Sequence, residues 1–171
     1  MKHLEAYQHI HATNPHYGQG SGAAVCEAIR NHLAPCLPKN GYSVIDYGCG
    51  RSRMIFDVFP NAQVHYRFDP AIPEFAAVPA FFFPWGLCTD VLEHIPEEEL
   101  GVLLDFMRRV AENWAFIVCT RPAGQLLPNG ENAHCTMHDP EWWLDQLKKI
   151  WPRARQVNFN TPANRPGFLT F

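Results

Sequence analysis

The sequence has few charged side chains and little imbalance between the two signs. Charged residues make up 18% of the 171 residues, below the usual share of about a quarter. The 14 Lys and Arg against 17 Asp and Glu give a formal net charge of −3. A protein that grips a nucleic-acid backbone does so mainly by neutralising phosphates, which requires a positive excess. The composition therefore argues against binding of bulk nucleic acid.

Long apolar runs are also lacking. The opening residues MKHLEAYQHIH contain no apolar stretch of the kind found in a signal peptide. The longest apolar run, residues 76–88, is too short to span a bilayer and contains Pro79 and Pro84. We therefore expect a cytoplasmic protein with no membrane partner.

The cysteines form no C-x-x-C pair, and in a cytoplasmic chain such scattered thiols are expected to be reduced and mostly buried. Four residues near the end of the chain offer sulfur and imidazole, which suit zinc. They are Cys119, His134, Cys135 and His138, and their spacing fits no standard zinc knuckle. The sequence therefore predicts no metal site.

The chain alternates short β-rich runs with helical ones, and its length fits about one domain, taken as residues 1–171. Such alternation predicts an α/β domain around a mostly parallel sheet, with helices on both faces. The expected helices cover 20–34, 51–59, 96–110 and 139–152. The expected strands cover 42–46, 63–68, 84–88 and 114–120, followed by a terminal hairpin of 155–160 and 167–171.

The strongest functional signal is V-I-D-Y-G-C-G at residues 44–50. An acid at a strand end followed by G-x-G lets the backbone approach a ligand and points helix N–H groups at a negative group. Alone, such a turn is as often structural as functional. Asp69 and Asp90 follow the next two predicted strands, and this spaced series favours a nucleotide-like cofactor at the carboxyl ends of the strands.

These residues resemble the class I S-adenosylmethionine-dependent methyltransferases. The family's D-x-G-x-G motif corresponds to residues 46–50, the acid that ends its second strand to Asp69, and its D-V-L-E-H motif to residues 90–94. The chain also looks like a small subgroup from phages and bacteria, through H-x-x-x-x-x-Y-G at 11–18 and P-N-G-E-N-A-H at 128–134. The resemblance implies a Rossmann-like methyltransferase fold with a C-terminal antiparallel strand. It also implies S-adenosylmethionine as cofactor and residues 40–120 as the cofactor-binding core.

By this resemblance, Gly48 and Gly50 let the backbone lie against the methionine part of the cofactor, Asp46 fixes its ammonium group, and Asp69 accepts the ribose hydroxyls. Asp69 is alternatively an ordinary turn acid. The implied cofactor-binding residues are Asp46, Tyr47, Gly48, Cys49, Gly50, Asp69, Pro70, Thr89, Asp90 and Val91.

The sequence departs from the family pattern in two places near these motifs. Ser52 stands where a third glycine often stands, so the following helix is expected to begin farther from the turn. Between Asp69 and Asp90 there is too little chain for the family's third helix and strand, so the third strand is expected to be shortened or missing. Residues 71–83, with Phe81–Phe83, are then expected to form an apolar wall for adenine.

Methyl transfer from a sulfonium needs alignment, exclusion of water and, for oxygen or nitrogen acceptors, a base. The candidate catalytic residues are Asp90, His94 and His134, although packing beneath the next helix explains His94 equally well. Candidate substrate contacts are Tyr17, Arg121, Asn129, Asn132 and His134, although Asn129 also suits a plain turn. Residues 1–22 are expected to form a lid, with a frayed terminus as the alternative.

The sequence thus predicts a single-domain methyltransferase, monomeric or homodimeric, that acts on a small molecule, a glycan or a nucleotide. One alternative is a catalytically silent cofactor-binding subunit that supports a partner enzyme. Another is an enzyme that uses the same sulfonium for different chemistry. An exposed apolar patch would favour the silent subunit, and product analysis would separate the two enzymes.

Overall fold

A computed structural model describes residues 3–39 and 41–171. Its helices are α1 (Leu4–Thr13), α2 (Ala23–Leu33), α3 (Met54–Val58), α4 (Glu97–Val110) and α5 (Pro140–Ile150). Its strands are β1 (Ser43–Tyr47), β2 (Val64–Phe68), β3 (Phe83–Thr89), β4 (Ala111–Ile117), β5 (Arg155–Val157) and β6 (Gly167–Leu169). Two single-turn 3-10 helices, Pro73–Phe75 and Leu92–His94, lie in the connections. The predicted α/β class is confirmed.

The strands form one sheet in the order β2-β1-β3-β4-β6-β5. The first four strands are parallel, and β6 runs antiparallel to both β4 and β5, which confirms the predicted C-terminal antiparallel strand. From β1 the chain goes first to β2 on one side and then to β3 on the other. Open α/β sheets bind ligands beside such a reversal, at the carboxyl ends of the strands.

Helices cover both faces of the sheet, as the alternating pattern predicts. On one face, α2 and α3 bury Ile29 and Ile55 against Val44 of β1. On the other, α4 and α5 bury Met107 and Trp143 against the sheet. Burial of side chains on both faces leaves the loops at the sheet's ends as the places where polar groups can gather. No helix among the described residues combines the length and apolarity needed to cross a membrane.

Several element bounds differ from those predicted. The helix expected at 51–59 covers only Met54–Val58, because Ser52 Oγ accepts the Met54 N–H at 3.0 Å before the helix begins. This late start is the one expected from Ser52. The strand expected at 114–120 begins at Ala111 and ends at Ile117, because the Val118 and Thr120 N–H groups donate instead to Pro166 O and Asn164 O. The helix expected at 20–34 covers Ala23–Leu33.

The family's third strand is missing among the described residues between β2 and β3. The chain there forms the 3-10 turn Pro73–Phe75 and is fixed to β2 by a hydrogen bond from Tyr66 Oη to Ala77 O, 2.8 Å long. Val78, Phe81 and Phe82 in this connection are 66%, 51% and 53% exposed. β2 is therefore one of the two edge strands of the sheet, and β5 is the other.

Candidate active site

A cavity of about 440 Å³ lies at the carboxyl ends of the parallel strands. Its volume is in the range of small-molecule and cofactor sites, roughly 300–1,000 Å³. The loops that follow β1 to β4 form most of its wall, and the N-terminal segment forms the rest. The lining includes Tyr47, Gly48, Cys49, Gly50, Asp69, Pro70, Ala71, Thr89, Asp90, Val91, His94, Cys119, Arg121 and His134, and from the N-terminal segment Leu4, Tyr7, His11, Tyr17 and Gly18.

The turn after β1 needs glycine because of its backbone angles and its close contacts with two other segments. Gly48 and Gly50 have φ of +69° and +52°, a region that residues with a Cβ rarely occupy. A Cβ on Gly48 would lie 2.4 Å from Val91 Cγ2, and one on Gly50 would lie 2.6 Å from Gly18 O. The two glycines therefore let the turn pack directly against the loop after β3 and against the N-terminal segment.

Asp69 holds a fixed carboxylate in the cavity wall. Its Oδ2 accepts the Gly50 N–H and its Oδ1 accepts the Ala71 N–H, both at 2.9 Å. The residue is only 7% exposed, so these two bonds determine its orientation. Each carboxylate oxygen retains a further lone pair. The side chain can therefore accept two more hydrogen bonds from a ligand without giving up those it makes.

Asp46 lies behind the turn and is absent from the cavity wall. It is 2% exposed, and burial raises its pKa to about 8, with the nearby Asp69 adding to the rise and Arg67 opposing it. The predicted contact with the cofactor's ammonium group, through a hydrogen bond or a water, stays a prediction.

Asp90 is held by a residue from the far end of the chain. Arg165, in the connection between β5 and β6, donates from Nε to Asp90 Oδ1 at 2.9 Å and from Nη2 to Asp90 Oδ2. The same Nη2 donates to Ser21 Oγ at 2.7 Å. Asp90 lines the cavity as predicted, but both of its oxygens already have a cationic partner. Its carboxylate anchors three segments and is not an unpaired base.

His94 presents a neutral imidazole to the cavity. Its Nδ1 lies 2.9 Å from Ala133 O, and because a carbonyl can only accept, Nδ1 must carry the proton. Tyr7 Oη lies 2.9 Å from the same Nδ1 and also donates to Ala133 O. Burial lowers the pKa of His94 to about 4. The lone pair therefore sits on Nε2.

His134 is held by a backbone carbonyl in the same way. Its Nδ1 lies 2.6 Å from Arg121 O, and because a carbonyl can only accept, Nδ1 donates. Its ring meets that of His94 edge to face, with centroids 4.7 Å apart. The structure thus brings together the two histidines predicted from the sequence, each with Nδ1 donating to a backbone carbonyl.

A buried glutamate lies behind His134. Glu93 is completely buried; its Oε1 accepts the Cys119 N–H at 3.0 Å and lies 3.9 Å from His134 Nε2. Its Oε2 has no hydrogen-bond partner among the described residues. Burial, reinforced by the nearby Asp90 carboxylate, raises the pKa of Glu93 well above its ordinary value.

Residues 3–20 of the segment predicted as a lid over 1–22 contribute to the cavity wall, and residues 1–2 lie outside the described residues. Gly18 O accepts the Arg51 N–H at 2.8 Å, and His11 O accepts a bond from Arg51 Nη2 at 3.3 Å. Tyr7 reaches the opposite side through its bond to Ala133 O. Burial raises the pKa of Tyr17, which contacts His11 edge to face, to about 12. These contacts place the segment where a lid would have to be.

Some predicted contacts lie off the cavity wall. Asn132 bonds to the backbone of Ala123 and to the His134 N–H, and so shapes the loop that carries His134. Asn129 is exposed and bonds to Glu131. The expected adenine wall is wrong for the phenylalanines: Phe81 and Phe82 are exposed and Phe83 is buried in β3. Only Pro70 and Ala71 from this part of the chain line the cavity.

Three residues at the site were not predicted from the sequence: Tyr7, Glu93 and Arg165. Cys119 was considered only as one of four possible zinc ligands. Tyr7 and Arg165 meet their partners across 87 and 75 positions of sequence, so no local pattern marks them. Glu93 did have a signal, because it is an acid directly after the apolar pair Val91–Leu92 in the D-V-L-E-H motif.

No protein-family model matches the sequence, and no curated protein matches it. Solved structures do. DhpI in complex with SAH covers 97% of this chain and 93% of its own, with a TM-score of 0.70 at 12% identity. The chain has a methyltransferase fold. The 1,6-didemethyltoxoflavin-N1-methyltransferase of Burkholderia thailandensis, solved with its substrate and S-adenosylhomocysteine, shares this fold at a TM-score of 0.64, 13% identity and coverages of 98% and 87%. Magnesium protoporphyrin IX methyltransferase from Synechocystis, solved with SAM, also shares the fold. Its TM-score is 0.60 at 14% identity, and the match covers 97% of this chain and 92% of that one.

Proposed function

We propose that this chain is an S-adenosylmethionine-dependent methyltransferase that acts on an oxygen or nitrogen atom of a small-molecule acceptor. One observation carries the proposal. A single cavity joins a glycine turn and a fixed carboxylate, Asp69, to two imidazoles whose Nδ1 atoms donate to backbone carbonyls. Solved neighbours with the same fold contain SAM or S-adenosylhomocysteine, which supports the choice of cofactor.

The residues around the turn fit this cofactor. Asp69 has two spare lone pairs in a fixed orientation, which suit the two adjacent hydroxyls of a ribose. Tyr47 to Gly50 expose backbone in the same wall, where the amino-acid part of the cofactor would lie. When bound, the cofactor supplies a methyl group on a positively charged sulfur, already activated for displacement. The protein then has to align the acceptor and keep water out.

His94 is placed to orient the acceptor. Its Nε2 accepts a hydrogen bond from the acceptor's O–H or N–H, which directs the nucleophilic lone pair toward the methyl carbon. In the displacement that the bound cofactor would support, Nε2 of His94 would receive that proton. Tyr17 and Arg121 line the same cavity and are proposed to contact the acceptor.

We propose that the N-terminal segment acts as the lid. α1 and the residues after it supply Tyr7, His11 and Tyr17 to the wall, and the segment rests on the glycine turn through the bond between Gly18 O and Arg51 N. In this proposal the segment moves aside to admit the cofactor and acceptor, and its return excludes water from the reacting atoms.

Calorimetric titration with S-adenosylmethionine and S-adenosylhomocysteine tests the proposal without knowledge of the acceptor. We expect micromolar binding to the wild type and roughly 10- to 100-fold weaker binding to Asp69→Ala, because two hydrogen bonds to a charged group are lost. Asp145→Ala, at an exposed position of α5, is the matched control and should bind like the wild type. Absence of binding to the folded wild-type protein would overturn the proposed cofactor.

Product analysis then tests the reaction. A methyltransferase yields S-adenosylhomocysteine in equal amount to methylated acceptor. A silent cofactor-binding subunit would bind the cofactor and release neither product with any acceptor. Other sulfonium chemistry would consume the cofactor without forming S-adenosylhomocysteine in that ratio.

A further inference from the structure

Three side chains at the inner end of the cavity offer one metal ligand each. They are a carboxylate oxygen of Glu93, Sγ of Cys119 and a ring nitrogen of His134, and these atoms all lie within 4.8 Å of one another. Cys119 and His134 line the cavity, and Glu93 is buried directly behind them. We propose that these three residues form a zinc site in the cavity wall.

The buried carboxyl group is the first reason. Glu93 Oε2 is buried and has no hydrogen-bond partner among the described residues, which is costly for a polar atom. Its companion Oε1 is fixed by the Cys119 N–H, so the carboxyl group is tied to the cysteine residue whose thiol would share the ion. A cation bound to the Glu93 carboxyl group would offset this cost.

The tautomer of His134 is the second reason. A histidine that binds a metal commonly donates its other ring N–H to a carbonyl or carboxylate, which fixes the ring and directs the lone pair at the ion. His134 makes this bond, from Nδ1 to Arg121 O at 2.6 Å. Its free Nε2 lies 3.9 Å from Glu93 Oε1, on the side where the ion would bind.

The ligand types select the metal. Thiolate and imidazole with one carboxylate oxygen suit Zn²⁺, whereas Mg²⁺ and Ca²⁺ prefer oxygen ligands alone. Zinc bonds of roughly 2.0–2.3 Å put tetrahedral ligand atoms about 3.3–3.8 Å apart. The three ligand atoms, which lie up to 4.8 Å apart, therefore have to move closer together by about an ångström as the ion binds.

The site has three protein ligands and borders a cavity, an arrangement typical of catalytic zinc, which keeps its fourth position open. An oxygen or nitrogen atom of the acceptor would occupy that position; this assignment rests on the proposed methyl transfer. Zinc would take the lone pair of His134 and leave His94 to orient the acceptor. Cys135 and His138, the other two residues considered as zinc ligands from the sequence, do not belong to this site. Cys135 is exposed, and His138 bonds to Glu97 at 2.9 Å.

Zinc titration of the full chain, stripped with a chelator and measured without cofactor, tests the site. We expect one zinc per chain with a Kd below about 1 μM, and on the order of 100-fold weaker binding in Glu93→Gln, Cys119→Ser and His134→Gln. Cys36→Ser and His138→Gln remove the same ligand types from surface positions and should bind like the wild type. MgCl2 should not compete.

Cobalt(II) gives a second readout that does not depend on the stability of the Glu93 variant. A sulfur-to-cobalt charge-transfer band is expected in the wild type and in Cys36→Ser, and its loss is expected in Cys119→Ser. Zinc binding that is substoichiometric, or equal in the wild type and the three ligand variants, would mean an adventitious ion only and overturn the site. Because these titrations contain no S-adenosylmethionine, their outcome is separate from that of the cofactor titration.

Discussion

The two sides of the cavity are built in different ways. The donor wall, Tyr47–Gly50 with Asp69–Ala71, consists of two short turns whose geometry is fixed by positive φ angles and by hydrogen bonds from backbone N–H groups to the Asp69 carboxylate. The acceptor wall, formed by Tyr7, His94, Cys119 and His134, consists of side chains from three segments: α1, the connection after β3, and the connection between β4 and α5. The donor wall therefore depends on local sequence, and the acceptor wall depends on the completed fold. Substitutions on the two sides should differ in what they damage.

The largest effect is expected from Gly50→Ala in the donor wall. A left-handed φ of +52° costs an alanine about 1–2 kcal/mol. Its Cβ would also lie 2.6 Å from Gly18 O, a backbone atom that cannot move without displacing the N-terminal segment. We expect both the free energy of unfolding and S-adenosylhomocysteine binding to fall, measured by denaturant titration and calorimetry.

Gly101→Ala is the matched control for that substitution. Gly101 lies within α4, and a Cβ there would meet nothing within 4 Å. Alanine should raise stability by about 0.5–1 kcal/mol because it favours the helix. Equal behaviour of the two variants would show that the turn is not constrained as described.

The next effect is a pH dependence that originates at Asp46 behind the donor wall. Unfolded, this carboxyl group titrates near 3.8, whereas in the fold burial raises its pKa to about 8. The folded chain thus keeps a proton that the unfolded chain has lost, so the stability from this group falls as pH rises from about 4 to about 8 and is constant above that. Asp46→Asn should remove this fall.

Thermal unfolding from pH 5 to pH 9 measures the effect. The unfolding midpoint of Asp46→Asn should rise relative to that of the wild type as pH increases. Asp57→Asn changes an exposed position of α3, and the difference between its midpoint and that of the wild type should stay the same at every pH. A constant difference between Asp46→Asn and the wild type at all pH values would contradict the assignment.

The smallest effect on stability is expected from Tyr7→Phe in the acceptor wall. The substitution removes the bond from Tyr7 Oη to Ala133 O, worth about 0.5–1.5 kcal/mol, and leaves the bond from His94 Nδ1 to the same oxygen. We expect unchanged S-adenosylhomocysteine affinity and lower turnover once an acceptor is found. Tyr42→Phe is the control, since the Tyr42 hydroxyl makes no hydrogen bond with the described residues. If Tyr7→Phe weakens cofactor binding as much as Asp69→Ala does, the two walls are not separate.

The sequence predicts the fold and the donor wall well, for a physical reason. Apolar periodicity locates the strands and helices, and the acids at the strand ends locate the cavity, because each of these signals lies within a few residues. The Asp139 cap of α5 is another local signal that the structure confirms, with Trp142 N donating to Asp139 Oδ1 at 2.8 Å.

The acceptor wall was only partly predictable. His94 and His134 were nominated because their residue type suits the chemistry, but their tautomers depend on Ala133 O and Arg121 O, which only the fold brings near. Asp90 was nominated as a base without knowledge of Arg165, which meets it across 75 positions. Cys119 and His134 were weighed as metal ligands with Cys135 and His138, whereas the structure groups them with Glu93.

The strand order also constrains how the chain reaches this structure. β5 pairs only with β6, and β6 is the element that joins it to β4, although β6 follows β5 in the sequence. During synthesis, β5 therefore has no place in the sheet until residues 167–169 have emerged, and Arg165, made just before them, closes onto Asp90 in the same late step. Pairings between distant segments are slow to form. We therefore expect the cavity to be completed late in folding, after the donor wall.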